Sequence, residues 1–243
     1  MKTLLCANNI SKAFGDNRVF ESVNLELHSG ETLALIGPSG IGKTTLLNIL
    51  SGLMLPDTGN VTLEGKDITG KPGSISYMQQ NDLLLPYYTV LENVSLPLII
   101  KGIKKKDAQE KSSALFSAFG LDGYQNMYPS ALSGGMRQRA ALMRTYVQSH
   151  SAVLLDEPFG ALDAVTRRKM QEWYSGISKE LSLSTIIITH DTDEALIMAD
   201  RICVMNNSPS TITAEISLPD KPSDFELTDI YLEKKREILS LLR

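Results

Sequence analysis

The residues with the clearest capacity for chemistry lie in GPSGIGKTT, residues 37 to 45. This stretch fits the pattern GxxxxGK[ST] and directly follows the apolar run TLALI at 32 to 36. Glycines at these positions let backbone amides turn toward phosphate oxygens, while the lysine reaches the outer phosphates and the hydroxyl can bind Mg²⁺. We therefore predict a nucleotide site in which Lys43 contacts phosphate and Thr44 contacts the metal. The other residues of the loop predicted to bind the nucleotide are Gly37, Pro38, Ser39, Gly40, Gly42 and Thr45.

A second stretch, LSGGMRQR at 132 to 139, also has the features of a phosphate cradle. A Ser-Gly-Gly run that opens a helix presents free backbone amides, and the positive end of the helix dipole points in the same direction. The chain thus has two predicted phosphate cradles, well separated in sequence.

Acidic and imidazole side chains follow two apolar stretches later in the chain. AVLLD at 152 to 156 is followed by Glu157, and IIIT at 186 to 189 is followed by His190. The carboxyl ends of parallel strands face the crevice where α/β folds bind ligands. Asp156 is therefore predicted to hold Mg²⁺ and Glu157 to polarise a water. A neutral His190 at this edge is predicted to contact the γ-phosphate and orient that water.

Composition excludes several classes of protein. The 243 residues are 42% hydrophobic and 21% charged, with a formal net charge of −4 and a pI of about 5.5. This balance is typical of a folded globular domain and argues against a broad basic surface for nucleic acid. Cys6 and Cys203 form no CxxC pair, so we expect no disulfide framework or zinc site, which suits a reducing cytoplasm.

No membrane segment is expected from the sequence. The apolar run near the N-terminus is too short for a signal peptide, and no window approaches the ~20 apolar residues of a spanning helix. A function at a membrane would therefore require a membrane part supplied by another chain.

The elements that position these residues follow from hydrophobic periodicity. VNLEL at 23 to 27 and VTLEG at 61 to 65 alternate, as in an antiparallel sheet with one wet face. TLALI, AVLLD and STIIIT at 184 to 189 are continuous and apolar, as in a buried parallel sheet. A helical pattern over 164 to 181 lies between the last two and predicts a parallel crossover.

A helical insertion is predicted between about 87 and 150. Thr89 and Glu92 are predicted to form a capping box, and Asp107 is predicted to cap a second helix that stops at Gly120. One face of a third helix is lined by Met136, Ala140, Met143 and Val147. The prediction is an α/β fold whose parallel-sheet core is interrupted by helices. After residue 205 we expect a strand near 212 to 218 and an amphipathic helix over 228 to 242, without a chemical role.

Together these motifs resemble the ATP-binding subunit of an ABC transporter. GPSGIGKTT corresponds to its phosphate loop (P-loop), LSGGMRQR to its signature, VLLDEP to the strand with metal ligand and base, ALD at 161 to 163 to the loop that follows, and His190 to the switch histidine. The resemblance spans about residues 3 to 205. It implies one P-loop NTPase domain over 1–243 in three parts. These are an ATPase core of 1–86 and 151–205 with an antiparallel β part, a helical subdomain of 87–150 and a tail of 206–243.

The resemblance also assigns roles that the residues alone do not. Phe14 corresponds to the aromatic ring that stacks on adenine, although without the family it would be interpreted as a core residue. Gln80 corresponds to the glutamine that senses γ-phosphate and Mg²⁺, because its spacing to Pro86 fits better than that of Gln79. Asp163 joins the nucleotide-binding residues.

In this family two cassettes pair head to tail, with each ATP between the P-loop of one and the signature of the other. The resemblance therefore implies that Ser133, Gly134 and Gly135 contact the γ-phosphate of a nucleotide bound by a second copy. A homodimer with ATP and Mg²⁺ is the expected active form.

Three stretches narrow the resemblance to importers of nitrate, sulfonates, taurine and thiamine-precursor pyrimidines: residues 83 to 98, 156 to 167 and 189 to 202. It implies a place on the cytoplasmic face of the membrane, bound to permease subunits and indirectly to a solute-binding protein, with no nucleic acid. The helical insertion and the segment after Gln80 would form the groove for a permease helix. The chain departs from the family at Ser208 to Ser210 and in ALMRTY at 141 to 146, which weakens any assignment of substrate.

Alternatives remain open. A cassette of an exporter or a lipoprotein-release complex would use the same ATP chemistry. A soluble ABC machine acting on DNA or ribosomes usually has a long coiled-coil insertion or two cassettes in one chain, neither of which is found here. A P-loop kinase is disfavoured by LSGGMRQR.

Overall fold

The structure is a computed structural model that describes residues 2–148, 151–218, 221–222 and 225–242. The predicted end of the helical subdomain at residue 150 lies outside the described residues, as do parts of the predicted tail. The strands are β1 (Thr3–Phe14), β2 (Asn17–His28), β3 (Thr32–Ile36), β4 (Thr58–Leu63), β5 (Lys66–Asp67), β6 (Ser76–Met78), β7 (Ala152–Asp156), β8 (Ser184–Thr189), β9 (Arg201–Asn206) and β10 (Thr211–Ser217). The helices are α1 (Lys43–Leu50), α2 (Val90–Ile100), α3 (Lys105–Ser113), α4 (Gly134–Tyr146), α5 (Ala164–Glu180), α6 (Thr192–Met198) and α7 (Asp229–Leu241), with 3₁₀ turns at Pro129–Ala131 and Phe225–Leu227.

The larger sheet has the strand order β10-β9-β3-β8-β7-β6, in which β10 is antiparallel to β9 and the other pairs are parallel. The predicted crossover from β7 through α5 to β8 is confirmed. Every residue of β3, β7 and β8 is buried, which explains their continuous apolar sequences. The α/β class is likewise confirmed.

Hydrophobic clusters cover both faces of this sheet. Along β3, Ala34 and Ile36 belong to a cluster shared with helices α2 to α7, whereas Leu33 and Leu35 belong to a cluster shared with α1 and the smaller sheet. Successive side chains of a strand point to opposite faces, so one short strand anchors both halves of the core. The P-loop follows β3 directly and is thereby fixed to the centre of the molecule.

The smaller sheet is antiparallel, with the order β2-β1-β4-β5, and confirms the prediction from alternating sequences. VNLEL lies inside the longer β2, with Val23, Leu25 and Leu27 buried. Strand β4 begins three residues before the predicted 61 and ends two residues before the predicted 65. Strand β1 was not among the individual strands predicted.

The helical insertion is confirmed in its first and third helices. The side chain of Thr89 accepts from the amide of Glu92, whose carboxylate accepts from the amide of Thr89, so the capping box is complete. Of the predicted apolar face, Ala140 and Met143 in α4 and Val147 directly after it are buried, and Met136 is half-buried.

The predicted second helix of the insertion is wrong at both ends. Helix α3 begins at Lys105 after Lys104, so Asp107 lies in its first turn and is not its cap. The helix ends at Ser113 and not near Gly120, and turns follow. Burial of Phe116 in the core holds this segment in a conformation that local sequence signals do not reveal.

The segment after β9 matches its prediction closely. β10 covers 211 to 217 and α7 covers 229 to 241. Tyr231 and Ile238 are buried against the body of the protein, and the ring of Phe225 packs edge-on against Tyr231 with centroids 5.6 Å apart.

Candidate functional site

The predicted site residues follow the parallel strands β3, β6, β7 and β8, which end at the same edge of the larger sheet. The cross-strand pairs nearest this edge are Ile36 with Thr189, Ile188 with Asp156, and Leu155 with Met78. Directly after these paired positions come the P-loop, His190, Glu157 and the Gln79–Gln80 pair. These groups therefore start side by side along the same edge of the sheet. This arrangement is the ligand-binding crevice expected of a parallel α/β sheet.

The P-loop needs glycine at specific positions. Gly40 and Gly42 have φ of 80° and 103°, in the left-handed region. A Cβ on Gly42 would lie 2.4 Å from the Cγ1 of Val19, and one on Gly37 would lie 2.3 Å from the carbonyl oxygen of Met205. Larger residues at 37 and 42 would displace the loop from the backbone path that precedes α1.

The side chain of Lys43 is buried within the P-loop. Its Nζ donates to the carbonyl oxygens of Gly37 at 2.7 Å and Pro38 at 2.9 Å. Burial lowers the pKa of Lys43, while the charges of Glu157 and Asp156 oppose this shift. The ammonium is thus held at the mouth of the loop, within the electrostatic influence of Asp156 and Glu157.

Asp156 lies at the end of β7 and is 4% exposed. Burial raises its pKa, and a hydrogen bond from the Thr44 hydroxyl acts in the opposite direction. The hydroxyl of Tyr77 on β6 also donates to its Oδ2 at 3.4 Å. Sequence reasoning missed Tyr77, since nothing local links it to an acid so distant in sequence.

The carboxylate of Glu157 contacts the other two predicted catalytic residues, Gln80 and His190. Nε2 of Gln80 donates to its Oε2 at 3.0 Å, and Nδ1 of His190 lies 3.3 Å from its Oε1. The backbone of Glu157 has a φ of 45°, and its amide donates to the carbonyl of Ile188 at 3.0 Å. Left-handed backbone at a residue other than glycine is uncommon and clusters at functional sites. The choice of Gln80 over Gln79 gains support from its contact with this carboxylate.

The signature motif packs against α5 and the loop before it. Ser133 is the N-cap of α4, and its side chain accepts from the amide of Met136 at 3.3 Å. A Cβ on Gly135 would lie 3.0 Å from Thr166, and one on Gly134 would lie 3.4 Å from Leu162. Within the described ranges, no hydrogen bond joins Ser133, Gly134 or Gly135 to the P-loop of the same chain. The two predicted phosphate cradles are therefore separate.

Gln138, on the first turns of α4, was not singled out by sequence reasoning. Its side chain is buried, and its Nε2 donates to the carbonyl oxygen of Pro158. Pro158 follows Glu157 directly, so the signature helix contacts the loop that carries the predicted base.

Two remaining predicted residues lie at the surface. Phe14 is 52% exposed, and the Nζ of Lys12 lies 5.7 Å from the centroid of its ring. The interpretation of Phe14 as a core residue is therefore wrong, and the ring is accessible for stacking. Asp163 is the N-cap of α5; hydrogen bonds from the side chain and amide of Thr166 lower the pKa of its carboxyl.

The donor set at the sheet edge fits Mg²⁺. Thr44, Asp156 and Gln80 offer a hydroxyl, a carboxylate and an amide oxygen, the hard ligands that Mg²⁺ prefers. In the part of the chain that the structure describes, no group of three or more His, Cys, Asp or Glu side chains could hold a metal. A Mg²⁺ ion bound here would therefore rely on one carboxylate together with substrate phosphates, as is usual for Mg²⁺ in phosphoryl-transfer enzymes.

None of the described helices is long and apolar enough to cross a bilayer.

Comparison with known proteins places this site in a family. The family profile of ABC transporters matches residues 20–160, more than half of the chain. The chain is 38% identical over 241 residues to the formylaminopyrimidine import ATP-binding protein ThiZ of Halalkalibacterium halodurans, covering 98% of this chain and 94% of that protein. It is 40% identical over 238 residues to the aliphatic sulfonates import ATP-binding protein SsuB 1 of Shouchella clausii, covering 97% and 90%.

A solved structure gives the same answer for the fold. The dimeric post-hydrolysis ATP-binding cassette MJ0796, bound to ADP and Pi, superposes with a TM-score of 0.75 at 28% identity and covers 89% of this chain and 100% of that chain. The confirmed fold, the P-loop geometry and the profile match agree. The chain belongs to the ABC transporter family, as one of its ATP-hydrolysing cassettes.

Proposed function

We propose that this cassette powers an importer of a small solute, of the nitrate, sulfonate, taurine or thiamine-precursor type. The names of ThiZ and SsuB 1, both import proteins that the chain matches over nearly its full length, support import and, within this range, the pyrimidine and sulfonate solutes. An exporter or lipoprotein-release complex would use the same ATP chemistry. Import is favoured over export because both of these relatives, matched over most of their length, are named as import proteins.

The observation that carries the proposed chemistry is the position of the Glu157 carboxylate. Gln80 and His190 each contact a different oxygen of this group, which restricts its rotation. A carboxylate fixed in this way can accept a proton from a water that attacks the γ-phosphate in line. The ammonium of Lys43 stabilises charge on the transferred group, while the amides of the P-loop bind the other phosphates.

Mg²⁺ bound by Thr44, Asp156 and Gln80 would neutralise charge on the phosphate oxygens. Phe14 at the end of β1 would stack on adenine. Thr44 and Asp156 share a hydrogen bond, which keeps these two ligands oriented toward the same point.

A homodimer is the proposed active form. The exposed hydroxyl of Ser133 and the adjacent amides of Gly134 and Gly135 would contact the γ-phosphate held by the partner's P-loop, with Asp163 nearby. The dimeric state of the related cassette MJ0796 supports this arrangement. We infer one ABC domain over 1–243, divided as the sequence predicts into the ATPase core, the helical subdomain and the tail.

The segment after Gln80 supplies the proposed contact with the permease. Several large hydrophobic residues are exposed there and on the neighbouring part of the helical insertion: Leu83, Leu85, Tyr87, Tyr88, Met127 and Tyr128. The amide of Val90 donates to the carbonyl of Met127 at 2.8 Å, which joins the two parts of this surface. A helix of a membrane subunit would bury these side chains, placing the cassette peripherally on the cytoplasmic face. A solute-binding protein would act only through the permease.

Replacement of the base tests the chemistry. In Glu157→Gln we expect ATP binding and dimerisation to persist while hydrolysis falls by roughly a hundredfold or more, because the amide cannot accept the proton. Nucleotide binding by fluorescence, size-exclusion chromatography with ATP and phosphate release measure the three properties. Glu180→Gln, at the exposed end of α5, is the control and should behave as wild type. Undiminished turnover in Glu157→Gln would remove this residue as the base.

The solute class has a separate test. The cassette should co-purify with a membrane permease, and the solute-binding protein of the same system should bind an anion or a pyrimidine of the proposed group. Binding of an unrelated sugar or peptide by that protein would contradict the assignment.

A further inference from the structure

Residues of α7 and the turn before it make polar contacts with α6 and α5. On α7, the hydroxyl of Tyr231 donates to Oδ1 of Asp193, and Nζ of Lys235 lies 2.5 Å from the same oxygen. Before α7, Glu226 is ion-paired with Arg168 of α5. We call Glu226, Tyr231 and Lys235 the tail clamp.

Each helix held by the tail clamp begins at a loop of the proposed catalytic site. Helix α6 is capped by Asp191, which accepts from the amides of Asp193 and Glu194 and follows His190 directly. Helix α5 is capped by Asp163 and follows the loop that starts at Glu157. A change in the position of either helix would therefore move one partner of the His190–Glu157 contact.

Arg167 connects the start of α5 with the start of α6. Its Nη2 donates to the carbonyl of Leu162 at 2.9 Å and its Nε to that of Phe159 at 3.3 Å, both in the loop after Glu157. Its Nη1 also lies 3.8 Å from Oδ2 of Asp191. This last contact is long and partly exposed, so it is a weak restraint by itself. The contacts from α7 and the turn before it would further restrict movement of α5 relative to α6.

Charge and burial at Asp193 are consistent with a specific contact. Burial raises the pKa of its carboxyl, but hydrogen bonds from Lys235 and Tyr231 outweigh burial and leave the pKa below its ordinary value. Tyr231 is itself buried, and Lys235 also lies over its ring at 5.9 Å from the centroid. The ring, the ammonium and the carboxylate form one packed group.

We propose that the tail clamp positions His190 on Glu157, so that Glu226, Tyr231 and Lys235 act as positioning residues for ATP hydrolysis. The proposal rests on the function proposed above for His190 and Glu157. It predicts that loosening the clamp lowers kcat but leaves ATP affinity unchanged, because the polar contacts of the clamp are made with α5 and α6 and not with the P-loop or α1. The tail thereby gains a role that its sequence alone did not indicate.

The kinetic test uses the full chain with Tyr231→Phe and Lys235→Met, alone and combined. The combined variant should lose roughly threefold to tenfold in kcat, with KM for ATP within about twofold of wild type. Lys234→Met is the matched control: this lysine pairs with Glu237 on α7 itself, at 2.9 Å, and should leave kcat unchanged.

A double-mutant comparison separates positioning from general weakening. In a His190→Ala background, measured by single-turnover hydrolysis, the clamp variants should have no further effect, because the group that they position is gone. If they lower kcat by the same factor with and without His190, the clamp does not act through this histidine and the proposal is overturned.

A spectroscopic readout does not depend on turnover. The sequence has three histidines, so the imidazole cross-peaks of the labelled protein are readily assigned by substitution. The combined variant should shift the peak of His190 and leave that of His28 in place, whereas Lys234→Met should shift neither. An unmoved His190 peak would overturn the clamp, while a wild-type chain that fails to hydrolyse ATP would overturn the proposed function instead.

Discussion

Asp156, the last residue of β7, and Glu157, which follows it, are adjacent in sequence but have different surroundings. Asp156 is 4% exposed and receives a hydrogen bond from Tyr77, whereas the side chain of Glu157 is 22% exposed and contacts Gln80 and His190. A pair of carboxylates in distinct environments can perform distinct tasks. The buried acid suits metal binding, and the more accessible one suits proton transfer with water.

Gln80 provides the first prediction at this scale. In Gln80→Ala we expect kcat for ATP hydrolysis to fall by roughly tenfold to a hundredfold, because Glu157 loses a hydrogen bond and the metal loses a ligand. Gln79→Ala is the control, and its kcat should stay close to that of wild type. Both are measured by steady-state phosphate release. A larger effect at position 79 would show that the neighbouring glutamine is the functional one.

Asp156 provides a prediction about pH. Burial gives this carboxyl a higher pKa in the folded protein than in the unfolded chain, so the folded state binds the proton more tightly. At a pH above the raised pKa, the ionised carboxylate therefore lowers the free energy of unfolding. This loss of stability disappears as the pH falls through the raised pKa. Asp156→Asn should thus have a higher Tm than wild type near about pH 7, and a smaller advantage near about pH 4.

Differential scanning calorimetry of both proteins measures this difference, and hydrolysis by Asp156→Asn should be almost lost with the metal ligand. A lower Tm for the variant at neutral pH would contradict the destabilising effect of the buried charge.

At the scale of elements, the start of α2 holds the loop that follows Gln80. Asn93 is completely buried; its Oδ1 accepts from the amide of Leu85 at 2.7 Å, and its Nδ2 donates to the carbonyl of Tyr88 at 3.1 Å. Arg144 of α4 adds a bond to the carbonyl of Leu83 at 2.7 Å. The exposed hydrophobic residues of this loop are therefore carried on a rigid frame.

Asn93→Ala should destabilise the protein by roughly 2 to 4 kcal/mol, because several backbone groups are left unpaired in a buried position. Ser95→Ala, in the same helix, is the control. The Ser95 hydroxyl bonds mainly to the carbonyl of Leu91 in its own helix at 2.7 Å, and we expect a loss below about 1 kcal/mol. Urea unfolding measures both. Equal effects of the two substitutions would contradict the bracing role of Asn93.

Elements differed in how far the sequence could predict them. Strands β3, β7 and β8 were predicted closely because burial on both faces requires continuous apolar residues. The end of α3 was not, because packing of Phe116 in the core outweighs the local signal of Gly120. In the site, the P-loop and the acids have local patterns, whereas the contacts of Tyr77 and Gln138 join residues far apart in sequence and have none.

For the whole molecule, the proposed head-to-tail dimer implies that a single chain, whose signature lies apart from its own P-loop, would be an incomplete catalyst. Ser133 is exposed at the start of α4, while Lys43 is buried next to Glu157. A closed dimer of the proposed kind would complete two sites at once, because each chain supplies one P-loop and one signature.

Ser133→Arg tests this assembly. We expect the isolated chain to bind ATP with an affinity close to that of wild type, because its own P-loop is intact, while hydrolysis falls by roughly a hundredfold or more. Isothermal titration with an ATP analogue and phosphate release measure the two properties. Ser113→Arg, at the exposed end of α3, is the control for the added charge. An equal loss of ATP binding and hydrolysis would mean that the signature acts on the nucleotide of its own chain.

The hydrogen bond from Gln138 to Pro158 has a consequence for how such a dimer responds to nucleotide. Gln138 belongs to the helix that would contact the partner's ATP, and Pro158 follows the residue that would act on the chain's own ATP. In the proposed dimer, this one buried side chain would therefore connect the residues that contact two different ATP molecules. Occupancy of one site can bias the geometry of the other through this link, so ATP turnover is expected to be cooperative, with a Hill coefficient above one.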